Sequence, residues 1–200
     1  MESAVFLQGM GLGASLIIAI GTQNAFLLRQ GLLGNYVLSC TLICIACDVL
    51  LIAAGVAGMG GLISAQPALL LWIKVAGAVF LLVYGARAAL AAWRPGTLQA
   101  GAAAPASHGA VVAAAFAFSL LNPHVYLDTV ILLGSIGGQQ AGAGRFYFAA
   151  GAMLASAIWF TGLGYGARFL APLFARPFAW RVLDGVIALV MWTIAWSLFH

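Results

Sequence analysis

Two aspartates stand inside long apolar runs: Asp48 in VLSCTLICIACDVLLIAAG and Asp128 in LNPHVYLDTVILLGS. An ionisable side chain at the centre of a membrane helix costs at least about 2.5 to 3.5 kcal/mol, so each needs a reason. Both predict a role in a polar pathway. The alternative for each is a structural ion pair, for which Arg29 is the available partner. Two other charges have simpler explanations. Lys74 can snorkel, and Asp184 follows Arg181 by three residues on one helix face.

Leu121 to Asp128 is the densest chemistry in the chain. Pro123 removes a backbone donor and crowds the preceding turn, freeing carbonyls near Ser119. A helix restarting at Pro123, with Asn122 in an N-cap-like position, aims orphan N–H groups and a positive dipole end inward, ready for a carboxylate. Gly21-Thr22-Gln23-Asn24 predicts a second break, since Gly21 tolerates unwinding and Asn24 can cap. Two facing breaks make an anion cradle; the alternative is a pair of packing kinks satisfied by neighbouring helices. His124 and Asp128, four residues apart, share a face of the resumed helix and could exchange a proton or hold a cation, although a lone His with one Asp is more often a structural hydrogen bond.

Cys40, Cys44 and Cys47 form one helical stripe, and Cys44 and Cys47 match C-x-x-C. With no second cysteine cluster and no surrounding βαβ pattern, packing explains them better than redox or soft-metal chemistry. Gly9-x-x-x-Gly13 reads as a close helix contact. No metal or cofactor site is expected.

The elements that must position these residues are membrane helices. Charged residues are 6% of the 200 and hydrophobic ones 64%, against roughly 25% charged in a soluble domain. Six apolar runs, at about 4–33, 37–61, 68–93, 110–135, 144–171 and 179–199, use most of the chain. No extramembrane domain fits, and the net charge of +4 forms no basic run, which argues against nucleic-acid binding. The first run carries Glu2 and no Lys or Arg ahead of it, so it reads as a retained span and not a secretory signal. Arg29, Arg87, Arg94, Arg168, Arg176 and Arg181 hold or adjoin the loops after spans one, three and five, while Arg145 alone adjoins the opposite set. The positive-inside rule then puts both termini outside. Trp93 and Trp180 fall at span ends, where an amphipathic ring suits the headgroup zone.

Residues 94–109 (RPGTLQAGAAAPASHG) lack hydrophobic period and read as a cytoplasmic linker between a first three-helix unit, 1–93, and a second, 110–200. The halves resemble each other: Gly21–Asn24 faces Ser119–Asn122, Ala46–Gly55 faces Ala155–Gly164, and Ile73–Tyr84 faces Arg181–Trp192. An odd number of spans per half inverts the second. The expected fold is therefore an all-α integral membrane protein of six transmembrane helices. It forms two inverted three-helix repeats, with helices one and four discontinuous and a binding site at the repeat interface.

GTQNAFLLRQG, CDVLLIAAG and LNPHVYLDTVILLGS resemble the lysine exporter family of bacterial inner-membrane amino-acid exporters, and most of all its arginine and lysine exporter branch. The likeness runs from Gly9 through Trp196. It implies a multi-pass inner-membrane transporter, not an enzyme, that exports a basic amino acid driven by an ion gradient, with Asn24, Asp48, Asn122, Pro123 and Asp128 as pathway residues. Thr22 stands where the family pattern has a proline, which implies a softer first break. On this reading the break N–H groups with Asn24 and Asn122 take the α-carboxylate, and Asp48 or Asp128 takes the cationic head. Protons are the expected coupling ion, through Asp48, His124 or Asp128, and the lipid bilayer is the one partner besides substrate. The oligomeric state stays open, a homodimer included. Rival readings are export of small neutral amino acids or of a soft metal ion such as cadmium. A membrane thiol-disulfide carrier using Cys44 and Cys47 is a rival of another class.

Overall fold

A computed structural model describes residues 2–18, 21–60, 65–93 and 107–199, and all their regular structure is helical. The first apolar run is split into α1 (Glu2–Ile17) and α2 (Thr22–Leu33), which lie at 79° to each other. After Gly34, whose φ of 67° is the left-handed turn that ends a helix, α3 (Val37–Ala54) rises and continues as a π-helical turn, Gly55–Met59. Helix α4 covers Pro67–Trp93. The second half opens on α5 (His108–Leu120), bends by 51° and resumes as α6 (Pro123–Gly138). Two straight helices follow, α7 (Gly144–Gly166) and α8 (Pro177–Ser197). The residues from Val37 to Met59 and from Leu71 to Trp93, and those from Gly144 to Leu170 and from Phe178 to Ser197, are each long and apolar enough to cross a membrane. Each bent pair passes the same test as a unit, so the candidate crossings number four, or up to six with each bent pair taken as one span.

Both expected breaks are present, but the first is the sharper, contrary to the expectation drawn from Thr22. The reason lies in how its ends are satisfied. Gly21 is fully extended (φ −125°, ψ 170°), and the Asn24 side chain, seven residues on, takes the Ile17 carbonyl left over at the end of α1. No proline is needed where a side chain satisfies the orphan carbonyl. The expected linker lies outside the described residues from 94 to 106, and α5 begins at His108, just inside its expected end.

Helix packing crosses between the halves. Helix α1 lies along α7, α3 lies against α5 and α6, and α4 pairs with α8. Gly9 and Gly13 make the first contact as the sequence predicts: a methyl group on Gly13 would stand 2.9 Å from the Ala152 Cα. The cores are aliphatic and aromatic, with Phe26, Phe80 and Tyr84 gathered around Phe118 at ring-centroid distances of 4.7 to 4.9 Å. Cys40, Cys44 and Cys47 are buried free thiols in this interior. Trp93, at the end of α4, is 84% exposed and fits a lipid-headgroup position. Trp180 does not. It is buried, and its indole donates to the Phe174 carbonyl at 2.8 Å, so it holds the turn before α8 together.

Candidate functional site

Both breaks open on one cavity of about 210 Å³. Gly21, Gln23 and Asn24 line it from the α2 side, Asn122, His124 and Asp128 from the α6 side, and Asp48 from α3. Of the residues expected to bind or couple, none lies elsewhere; Thr22 and Pro123 shape the breaks from behind the wall.

At the α6 break the capping residues stand as the sequence predicts, but the expected orphan N–H groups do not: that of Val125 goes to the Asn122 carbonyl at 3.2 Å and that of Tyr126 to the Pro123 carbonyl. Asn122 is the N-cap, with its Oδ1 accepting from His124 N–H at 3.2 Å, and Pro123 takes the first helical position. Of the carbonyls near the break, that of Leu120 is taken by the Tyr126 hydroxyl at 2.8 Å. Behind it Gly77 of α4 rests directly on the Leu121 carbonyl, an approach that any side chain would block. From Tyr126 to Leu133 the helix is wound as a π-helix, and this places Asp128 on a widened turn that a 3.6-residue periodicity does not reveal. His124 and Asp128 share the cavity, but no hydrogen bond joins them among the described residues. Instead His124 Nε2 meets the Ser197 hydroxyl at 3.1 Å. That hydroxyl also lies 2.9 Å from the Ile194 carbonyl.

At the α2 break Asn24 is not the N-cap. Its Nδ2 donates to the Ile17 carbonyl at 2.8 Å and its Oδ1 accepts from the Trp159 indole at 3.2 Å. The N-cap is Gly21, which has no side chain to offer. Thr22 and Gln23 are buried, and neither Thr22 Oγ1 nor Gln23 Nε2 has a hydrogen-bond partner among the described residues.

The acidic residues divide cleanly. Asp184, fully buried on α8, pairs with Arg29 of α2 at 3.3 Å, and not with its helix neighbour Arg181, which donates to the Ala92 carbonyl at 3.0 Å. Arg29 is therefore spent and does not neutralise the aspartates of the cavity. Asp48 is 6% exposed, and the contact that holds it is a hydroxyl: Ser156 Oγ donates to Oδ2 at 2.8 Å. Asp128, half-buried, has no ion pair among the described residues. Among the described residues the cavity thus presents two carboxyl groups without an ion-pair partner and polar amide groups opposite. Ser156 and Trp159, both on α7, were missed from the sequence. Ser156 faces Cys47 in the alignment of the halves, which marked its helix position without its role.

A model of the LysE type translocators matches residues 14–200. The chain belongs to this family. A Mycobacterium tuberculosis relative, provisionally named an amino-acid transporter, is 45% identical over 181 residues, or 90% of each chain. The arginine exporter protein ArgO of Yersinia enterocolitica is 42% identical over 197 residues, covering 98% of this chain and 96% of its own. ArgO of Salmonella schwarzengrund is 40% identical over 195 residues, 96% and 92% of the two chains. No solved structure matches the chain. As a LysE type translocator it is a multi-pass membrane transporter, not an enzyme.

Proposed function

We propose that this LysE type translocator exports a basic amino acid, arginine or lysine, across the bacterial inner membrane in exchange for protons. The observation that carries the reading is the cavity itself: two carboxylates, Asp48 and Asp128, face it with no Lys or Arg paired to them among the described residues, while Arg29 is bound to Asp184. A buried negative charge without a partner is costly. A guanidinium or ammonium head supplies the missing counter-ion, and the arginine exporters among the relatives support that choice of substrate.

Exporting one positive charge against an inside-negative potential costs about 2.3 kcal/mol per 100 mV, so binding and release alone cannot drive it. An incoming proton offsets that charge. In the proposed cycle a cavity aspartate arrives protonated from outside, releases its proton inward, and then binds the cationic head as a carboxylate; His124, held by Ser197, is a second group able to carry the proton.

Two inverted repeats give this cycle two equivalent faces. The exchange of packing partners supports the inversion: the second segment of each broken span seats a glycine on the first straight helix of the other half, Gly31 on Gly164 and Gly134 on Gly55. Gly55 and Gly164 are counterparts in the alignment of the halves. With six crossings and the arginine-rich loops inside, this reading has the 94–109 linker in the cytoplasm.

The test is transport by the purified protein in liposomes carrying a pH gradient. Arginine and lysine are expected to move with the gradient and in preference to threonine, alanine or cadmium. Movement of a neutral amino acid alone would overturn the substrate assignment, and movement of cadmium alone would overturn amino-acid export.

A further inference from the structure

The cavity ends against a wall of rings. Phe160 of α7 lines it and belongs to the same buried cluster as Phe26 of α2 and Phe118 of α5, onto which Phe80 and Tyr84 of α4 pack. Behind the rings stands the pair of Arg29 with Asp184. The order along the helices shows this layering. On α2 the cavity residues Gln23 and Asn24 are followed by Phe26 and then Arg29; on α8, read from the cavity residue Ile194, Ile187 of the cluster comes next and Asp184 after it. Tyr84 joins the two layers, because Arg29 and Asp184 both lie beside it. The Arg29 side chain is 25% exposed, so the pair stands at the outer edge of the seal, toward the end of the molecule where α2 and α4 finish and α5 and α8 begin.

The contacts of α2 differ on its two sides. Toward α7 it is seated backbone on backbone through Gly31 and Gly164, whereas toward α4, α5 and α8 it meets rings and the ion pair. Side chains can change rotamer and part; a glycine contact of two backbones has no such freedom. The ion pair is also half made. Arg29 gives Asp184 a single contact, Nε to Oδ1 at 3.3 Å, where guanidinium and carboxylate commonly meet through two. Asp184 Oδ2 is buried with no hydrogen-bond partner among the described residues. A bare carboxylate oxygen weakens a clamp whose only task is stability. It suits a contact that must break in every cycle.

We infer that the ring cluster and the pair of Arg29 with Asp184 form a gate, which closes the cavity toward the end of the molecule where α2 finishes and opens when α2 parts from α8. The inference goes beyond the exporter reading and rests on it only for the need of a route out of the cavity at this end. The structure is the closed form of this gate. In the proposed orientation it is the cytoplasmic gate, through which an exported solute enters. Arg29 and Asp184 act on transport by controlling access, without touching the bound solute.

Cys40 of α3, fully buried in the same cluster, is a native reporter of the seal. In the full-length protein carrying Cys44→Ala and Cys47→Ala, the rate at which a charged methanethiosulfonate reagent labels Cys40 measures how often the gate opens. Asp184→Asn is expected to raise that rate about ten- to hundredfold, the worth of one bond to a charged group. Gly134→Leu, which loosens the contact of α6 with Gly55 instead, should leave it within about twofold. Arg29→Met with Asp184→Leu replaces the pair by apolar packing. It is expected to slow the labelling below wild type and to abolish arginine counterflow in liposomes while melting like the wild type. An apolar double variant that still transports at the wild-type rate, or whose Cys40 is labelled as fast as in wild type, makes the pair a structural clamp and overturns the gate. Equal acceleration by Asp184→Asn and Gly134→Leu does the same. Should the double variant not insert, Asp184→Asn decides alone, and labelling at the wild-type rate refutes the inference. The two readings fail separately: if wild-type protein moves neither arginine nor lysine the exporter reading falls, while Cys40 labelling, which needs no substrate, still decides on the gate.

Discussion

Asp48 and Asp184 illustrate how one residue type in one medium takes two roles according to its partner. Asp184 is compensated by Arg29 across two helices, whereas Asp48 is held by a serine hydroxyl and faces a cavity. Asparagine preserves the shape of either side chain and removes its charge, so the two positions should respond differently. Asp48→Asn and Asp128→Asn are expected to insert normally and lose basic amino-acid transport by at least about tenfold, the cost of one ionic contact to a charged head. Proteoliposome uptake normalised to inserted protein checks this, and wild-type rates with an unchanged response to pH in both variants would remove the aspartates from the pathway. At position 184 the expected loss is structural. Asp184→Asn strands the Arg29 charge and should cost about 3 kcal/mol or more of stability. A double variant, Arg29→Met with Asp184→Leu, should recover most of it, and thermal unfolding in detergent measures both. If the single and double variants melt together, the ion pair does not carry the contact between α2 and α8.

At the scale of elements, the glycines decide how closely the broken spans approach their neighbours. A Cβ at Gly134 would lie 2.6 Å from the Gly55 Cα, whereas Gly162, on the outer face of α7, meets nothing within 4 Å. Gly134→Leu should therefore lower the melting temperature by the equivalent of about 1 to 3 kcal/mol or more, with Gly162→Leu close to wild type, because only the first drives a side chain into packed backbone. Equal melting of the two would dissociate that contact from stability. The breaks themselves were legible in the sequence, because a proline, a glycine and a capping asparagine act on their own backbone. Helix termini, the glycine contact of α1 and the clustering of Asn122, His124 and Asp128 followed from the same local rules. What was not legible depended on distance. Asn24 was read as a cap for its own helix, but its partners are Ile17, across a break, and Trp159, 135 positions away. Asp184 has a plausible neighbour in Arg181, yet Arg29, 155 positions away, takes it once the spans pack. The π-helical winding of Tyr126–Leu133 leaves no trace in composition, since it changes which carbonyl each amide meets and not which residues are apolar.

For the whole molecule, the balance of charge constrains the transport cycle more tightly than any single contact. Among the described residues Arg29 and Asp184 form an internally neutral pair, and the two cavity carboxylates alternate between proton and substrate in the proposed cycle. If one proton enters for each monocationic amino acid that leaves, no net charge crosses the membrane. The initial rate of arginine exchange in liposomes should then be indifferent to an imposed potential of either sign and should follow the pH gradient alone. A uniporter for the same cation would respond by the full electrical term, about 2.3 kcal/mol per 100 mV, which is roughly a fiftyfold change in the accumulation ratio. Clamping the potential with potassium and an ionophore at constant pH, and then the pH at zero potential, separates the two. Potential-driven accumulation without a pH gradient would exclude one-for-one proton exchange, and the cavity aspartates would then serve to bind the cation without carrying its counter-charge.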